Sequence, residues 1–298
     1  QIFNTDNLAI KKSPLAEYQK KNVKKNVTQY DMLKKLELSY NQHSILINYC
    51  KKRKINYLAS VFDIESLNFL RKKSSSIKIP SGEITNYQLL KNIRKKKFLK
   101  IFLSTGASNI NEVEKAINIL GKKNLYLLHA NSEYPTKNFQ DINLNVIKTF
   151  QKRFNIDKVG YSDHTIYREV PIIAVALGAK VIEKHFTISK KLKGPDHKAS
   201  LEPKELKAMV DAIRNIELAT SGDGLKKPSV SEQKNIHIAR KSIHLNKDMP
   251  EGTIIKESDM IPLRPGDGIS PMKWDTIIGK PLTRDLSKYE KLNWSDLS

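Results

Sequence analysis

Two short motifs, GYSDHT at 160–165 and IEKHFT at 182–187, each place a histidine among charged and hydroxyl side chains just where an apolar run ends. In the first the run gives way to Ser162, Asp163 and His164, in the second to Glu183, Lys184 and His185. A strand can end on titratable groups where its tip faces a polar cavity. Strands that neighbour each other in a sheet stand about 4.8 Å apart. His164 and His185 on adjacent tips would then be able to share one divalent cation, with oxygen ligands and water suiting Mn²⁺, Zn²⁺ or Fe²⁺. The competing reading is a pair of hydrogen-bonded structural histidines.

Lys78 lies in SIKIPSGE between Ile77 and Ile79. Strand alternation turns it opposite to both isoleucines, and a buried lysine requires an anion. A phosphate or carboxylate ligand would serve, and so would an ion pair with Glu83 or Glu183. Ser104, Thr105 and Gly106 precede an Asn109–Glu112 capping pattern. Hydroxyls, a glycine and free N–H groups near a helix start form an anion cradle, or simply an ordinary cap. Asp196, in GPDHKAS, sits on a loop where its carboxylate could grip sugar hydroxyls or shape a turn. His129, after the apolar LYLL, reads as a satisfied core residue.

The elements that position these groups alternate. Strand candidates lie at 55–62, 76–81, 98–105, 125–131, 158–162 and 180–187, separated by stretches of helical period. Thus NEVEKAINIL carries Val113, Ala116, Ile117 and Leu120 on one face, and ELKAMVDAIRNIELA repeats the pattern. Strand–helix alternation implies a parallel sheet covered by helices. Every predicted tip is polar: Ser60; Ser81 to Glu83; Ser104 to Gly106; Ser132 to Tyr134; Ser162 to His164; Glu183 to His185. Loading at so many successive tips predicts a (β/α)₈ barrel rather than an open sheet with a single switch point.

Six strands fall short of eight, and residues 1–50 read as helical or irregular in LAEYQKKN, QYDMLKKLEL and SILINYCKK. The expectation is therefore a barrel lacking its first two strands, completed by one βαβ unit of roughly 30–55 residues before Gln1. The barrel portion is expected over 1–220, a Gly-, Ser-, Pro- and Lys-rich linker over 221–237, and a small β-rich module over 238–298.

The 53 basic and 31 acidic residues give a formal net charge of +22, which raises a polyanion-binding alternative. The lysines are dispersed between apolar segments without interleaved aromatics, which argues against nucleic acid and for a surface that attracts small anions. No run of eighteen apolar residues predicts a membrane span. The single Cys50 excludes an internal disulfide and fits a reducing cytoplasm.

In KIPSGEITN (78–86), LSTG (103–106), EYPT (133–136), GYSDHT, IEKHFT, GPDHKASLEP (194–203) and RPGDGISPM (264–272), the chain closely resembles the sialic acid synthases. These nonulosonate synthases condense phosphoenolpyruvate with an N-acylated hexose. The resemblance implies a (β/α)₈ barrel followed by an antifreeze-like (SAF, β-clip) module. It implies that His164 and His185 bind the metal, usually Mn²⁺, and that Lys78, Ser81, Ser104 and Ser162 bind phosphoenolpyruvate, with Ser60 and Ser132 at further substrate positions. Glu83, Tyr134, Asp196 and Gln1 correspond to sugar-site residues, and Glu83 and Lys78 are the candidates for catalysis. Arg264 matches an arginine that, in a domain-swapped homodimer, reaches the sugar's acyl group in the other subunit. N-acetylmannosamine and a 2,4-diacetamido-6-deoxy hexose both fit these motifs. The family's first-strand glutamate and second-strand lysine fall before Gln1, so an inactive barrel fragment is a further alternative. Val61, Ala107, Ser108 and Ala130 depart from the usual pattern.

Overall fold

The computed structural model describes residues 1–16, 19–20 and 27–298, so the helical candidate LAEYQKKN (15–22) lies largely outside the described residues. The chain divides into two compact units, Gln1–Gly222 and Asp223–Ser298.

The first unit is built on a five-stranded parallel sheet of β1 (Ser76–Ile79), β2 (Lys100–Ser104), β3 (Leu125–Ala130), β4 (Val159–Asp163) and β5 (Ile182–Lys184), in chain order. The register sets Lys78 beside Phe102, Leu103 beside Leu127, Leu128 beside Gly160 and Ser162 beside Glu183. At Gly160 a Cβ would lie 2.5 Å from the Val181 carbonyl oxygen, so only glycine lets β5 approach so closely.

The strand expected at 55–62 is reduced to isolated parallel bridges, Ser60 to Lys78 and Ile2 to Val61. Its backbone meets β1 through Ala59 and Val61 alone, while Ile55 and Leu58 are exposed. The bridge at Ile2 adds a parallel segment that the count of six strands did not include.

Helices follow the strands as the apolar stripes require. Ile110–Leu120 starts at a capping box between Asn109 and Glu112 and buries Val113, Ala116, Ile117 and Leu120. Truncating the fully packed Ile117 to alanine would cost about 2–5 kcal/mol. Pro203–Ala219 begins with proline in its first turn and packs Met209 and Ile213 with Leu201, against Ile172, Val175 and Ile182. One continuous apolar core joins strand residues such as Ile77, Ile79, Leu103 and Leu127 to helical Leu89, Ile93, Ile117 and Phe150.

The second unit pairs β6 (Ser242–Leu245) antiparallel to β7 (Met260–Leu263), with further single bridges and short 3₁₀ turns. It has its own core, including Ile243, Leu245, Ile255, Ile277 and Leu292. The stretch read as a linker contains a helix, Val230–Ala239, opened by a capping box between Ser229 and Glu232.

Candidate active site

The C-terminal ends of the strands hold the polar groups. Ser81 and Glu83 lie in a 3₁₀ turn immediately after β1. The Ser81 hydroxyl accepts a 3.0 Å hydrogen bond from the Gly106 N–H. A Cβ on Gly106 would stand 2.2 Å from Ser132 Oγ and 2.9 Å from Ser81 Oγ, so only glycine lets both hydroxyls pack this closely on the backbone. Ser104 is buried at the end of β2, and its Oγ has no partner among the described residues. An orphaned buried hydroxyl at a strand end is suited to receiving a polar ligand.

Lys78 projects from β1 to Glu183 on β5, with Nζ 2.6 Å from Oε2 and 2.7 Å from Oε1. Of the partners open to Lys78, the structure shows the Glu183 ion pair. Burial pushes the Glu183 carboxyl up, but Lys78 outweighs it and, with Ser162, holds the group below its ordinary value. Ser60 pairs with Lys78 through the backbone bridge, and Gln1 is exposed near the Lys78 charge.

The two histidines meet: the His164 and His185 ring centroids are 5.4 Å apart, with planes at 79°. Tyr134 lies against both, 4.1 Å from the His164 ring and 5.6 Å from that of His185. His164 Nδ1 is 2.5 Å from the Asn131 carbonyl oxygen. A carbonyl only accepts, so Nδ1 carries the proton and the Nε2 lone pair is left for a ligand. Burial pushes the His164 pKa down to about 4, which keeps the ring neutral at ordinary pH. Asp196 Oδ2 lies 3.9 Å from His185 Nδ1, and Asp196 Oδ1 is buried without a hydrogen-bond partner among the described residues.

A neutral imidazole with a fixed tautomer, a second imidazole beside it and a nearby orphaned carboxylate oxygen fit a borderline divalent cation. Among the described residues no group of three or more His, Cys, Asp or Glu converges as a metal cage. Two imidazoles would leave the remaining positions to water and substrate.

Other predicted residues make bonds of their own. Glu83 accepts a 2.7 Å hydrogen bond from Asn86, and burial, reinforced by Asp63, raises its pKa despite that bond. Arg264 belongs to the second unit, where its Nε donates to the Ala239 carbonyl. Asp163, although next to His164 in sequence, faces Lys184 at 2.6 Å, because alternation turns its carboxylate to the opposite side of β4. His129 is a core residue bonded through Nε2 to the Ile142 carbonyl. Gly106 belongs to the anion cradle expected at 104–106, whereas Asn131 was missed, because a carbonyl contact leaves no signal in residue type.

A parallel sheet curled until its outer strands' side chains touch, with hydroxyls, an ion pair and paired imidazoles at the strand ends, is the wall of a barrel enzyme. The NeuB family matches residues 1–226, and the SAF domain matches 240–298. The chain is 45% identical over 296 residues to the N,N'-diacetyllegionaminic acid synthase of Campylobacter jejuni, covering 97% of this chain and 87% of that protein. It is 42% identical to the Legionella pneumophila protein of the same name, covering 100% and 85%. A crystal structure of N-acetylneuraminic acid synthetase from Leptospira borgpetersenii matches with a TM-score of 0.66 and 32% identity, over 79% of this chain and 77% of that one. The chain belongs to the NeuB family and is a sialic-acid-synthase-like enzyme. Among the described residues, no helix is long and apolar enough to cross a membrane.

Proposed function

We propose that the chain condenses phosphoenolpyruvate with the open-chain aldehyde of an N-acyl hexosamine, yielding a nonulosonic acid and inorganic phosphate. The observation that carries this reading is one strand-end mouth in which a hydroxyl cradle and Lys78 accompany two facing imidazoles. C3 of the enol forms a bond to the aldehyde carbon, and water adds at C2. One water proton passes to the former aldehyde oxygen; the C2–O bond to phosphate then breaks as the C2 hydroxyl becomes a carbonyl, its proton leaving with inorganic phosphate.

Lys78 and the hydroxyls of Ser60, Ser81, Ser104, Ser132 and Ser162 hold the phosphate and carboxylate, a contribution of positioning and fixed charge. When bound at His164 and His185, a divalent cation such as Mn²⁺ would supply polarisation of the sugar's carbonyl oxygen. Glu83, whose raised pKa suits proton exchange, handles a proton or a sugar hydroxyl. Gln1, Tyr134 and Asp196 bind the sugar, and Arg264 serves the acyl group in a second copy of a homodimer.

The names of the Campylobacter and Legionella relatives favour a 2,4-diacetamido-6-deoxy hexose, giving a legionaminate, over N-acetylmannosamine, giving N-acetylneuraminate. Phosphate release from phosphoenolpyruvate with Mn²⁺ and each sugar tests this. Turnover is expected to be faster with the diacetamido sugar; release with neither sugar would refute the reading.

A further inference from the structure

Lys184 is the outward residue of β5, between Glu183 and His185 in sequence, and its side chain is 3% exposed. Its ammonium lies 2.6 Å from Asp163 Oδ2 and also donates to the Thr165 carbonyl. Asp163 Oδ1 in turn accepts a 2.8 Å hydrogen bond from the Thr165 N–H. The residues on either side of His164 are therefore gripped by one ammonium, carried by the residue that precedes His185. Charge neutralisation of Asp163 accounts for the first of these bonds. It does not call for the bond to Thr165, whose effect is to fix the backbone of the β4 tip against that of β5.

We propose that Lys184 is a positioning residue, a clamp from the outer face of the sheet that sets the spacing and ring orientation of His164 and His185 on the inner face. The metal-binding consequence rests on the proposed synthase reading; the geometric one does not. With the clamp removed, the loop at 163–165 gains freedom, the His164–Asn131 bond loosens and the Nδ1–H tautomer is no longer enforced. Outer partners of metal-binding histidines typically govern affinity by ten- to hundredfold.

Lys184→Met alone would strand a buried carboxylate and endanger folding. The informative variant is the neutral pair Asp163→Asn with Lys184→Met, compared with Lys184→Arg, which keeps a cation at both acceptors. Two quantities are read on the whole chain: the nitrogen-15 shifts of the His164 ring without metal, and Mn²⁺ affinity by calorimetry, with melting curves establishing folding. The folded double variant is expected to show mixed tautomers at His164 and Mn²⁺ binding weakened about ten- to hundredfold, and Lys184→Arg to retain most of the affinity. Wild-type tautomer signals in the folded double variant would overturn the proposal. A wild-type chain that binds no Mn²⁺ would instead remove the metal reading, while the tautomer comparison still decides the role of Lys184.

Discussion

Lys78 and Glu183 stand on the first and fifth strands of one sheet, yet their charged atoms are 2.6 Å apart. Four strand spacings in a flat sheet would separate them by about 19 Å. The contact is therefore a measure of curl, and it ties together the two edges of the sheet. Removing the cation by Lys78→Ala is expected to cost about 1–3 kcal/mol in urea unfolding, less than a fully buried pair because the Glu183 side chain is 39% exposed. Phosphate release should fall at least a hundredfold if Lys78 also holds the substrate phosphate. An unchanged rate would remove Lys78 from the substrate site.

Gly106→Ala should disturb the hydroxyls packed around it. The added methyl group would collide with Ser132 Oγ and press on Ser81 Oγ, so some stability should be lost and the KM for phosphoenolpyruvate is expected to rise about tenfold or more. Shortening the neighbour as well, in Gly106→Ala with Ser132→Gly, should recover part of that loss. Steady-state kinetics on both variants checks the pair.

Chelation followed by dialysis is expected to abolish turnover, and added Mn²⁺ to restore it. His164→Ala combined with His185→Ala should no longer bind Mn²⁺ in calorimetry while retaining its far-ultraviolet dichroism. Metal retained by that double variant would relocate the centre.

Arg264→Ala should raise the KM for the sugar and leave that for phosphoenolpyruvate near wild type. Sedimentation of the wild-type chain is expected to show a dimer, and mixing Arg264→Ala with an inactive His164→Ala chain should recover some activity if subunits exchange.

The second unit should be sensitive to acid. Asp259 and Asp296 are buried, and burial alone would raise both carboxyls. The ammonium of Lys247 and the Lys256 N–H outweigh this for Asp259, as Arg284 and the Asn293 N–H do for Asp296, so both pKa values lie below the ordinary aspartate value. A lowered carboxyl pKa contributes stability that is fully present above about 3.9, the unfolded value, and is lost as pH falls through the folded one. Melting of the second unit, followed between pH 5 and 2, should steepen over the acid end, and Asp259→Asn should flatten that slope.

Much of this architecture is readable from the chain because alternation and helical period are local properties. The apolar stripe of 110–120 and the histidines at two successive strand ends follow from residue order alone. The partner of Lys78 does not, because choosing between Glu83 and Glu183 requires knowing how far the sheet curls. Nor does the partner of Asp163, since neighbours along a strand face opposite sides and its ion pair with Lys184 lies on the face away from His164. The 221–237 stretch, rich in Gly, Ser and Pro, still contains a helix, since Ser229 and Glu232 supply a cap that composition obscures. At 55–62 the side chains suit a strand, but how much of a strand forms depends on the backbone available on both flanks.

The three residues 183–185 divide their duties by parity: odd numbers address the interior and the even one the exterior. A conservative substitution there would leave the other two side chains on their own faces. Inserting or deleting one residue would exchange all of them at once, sending the ammonium of Lys184 inward and both Glu183 and His185 out among the helices. This strand should therefore accept changes of side chain far more readily than any change in its length.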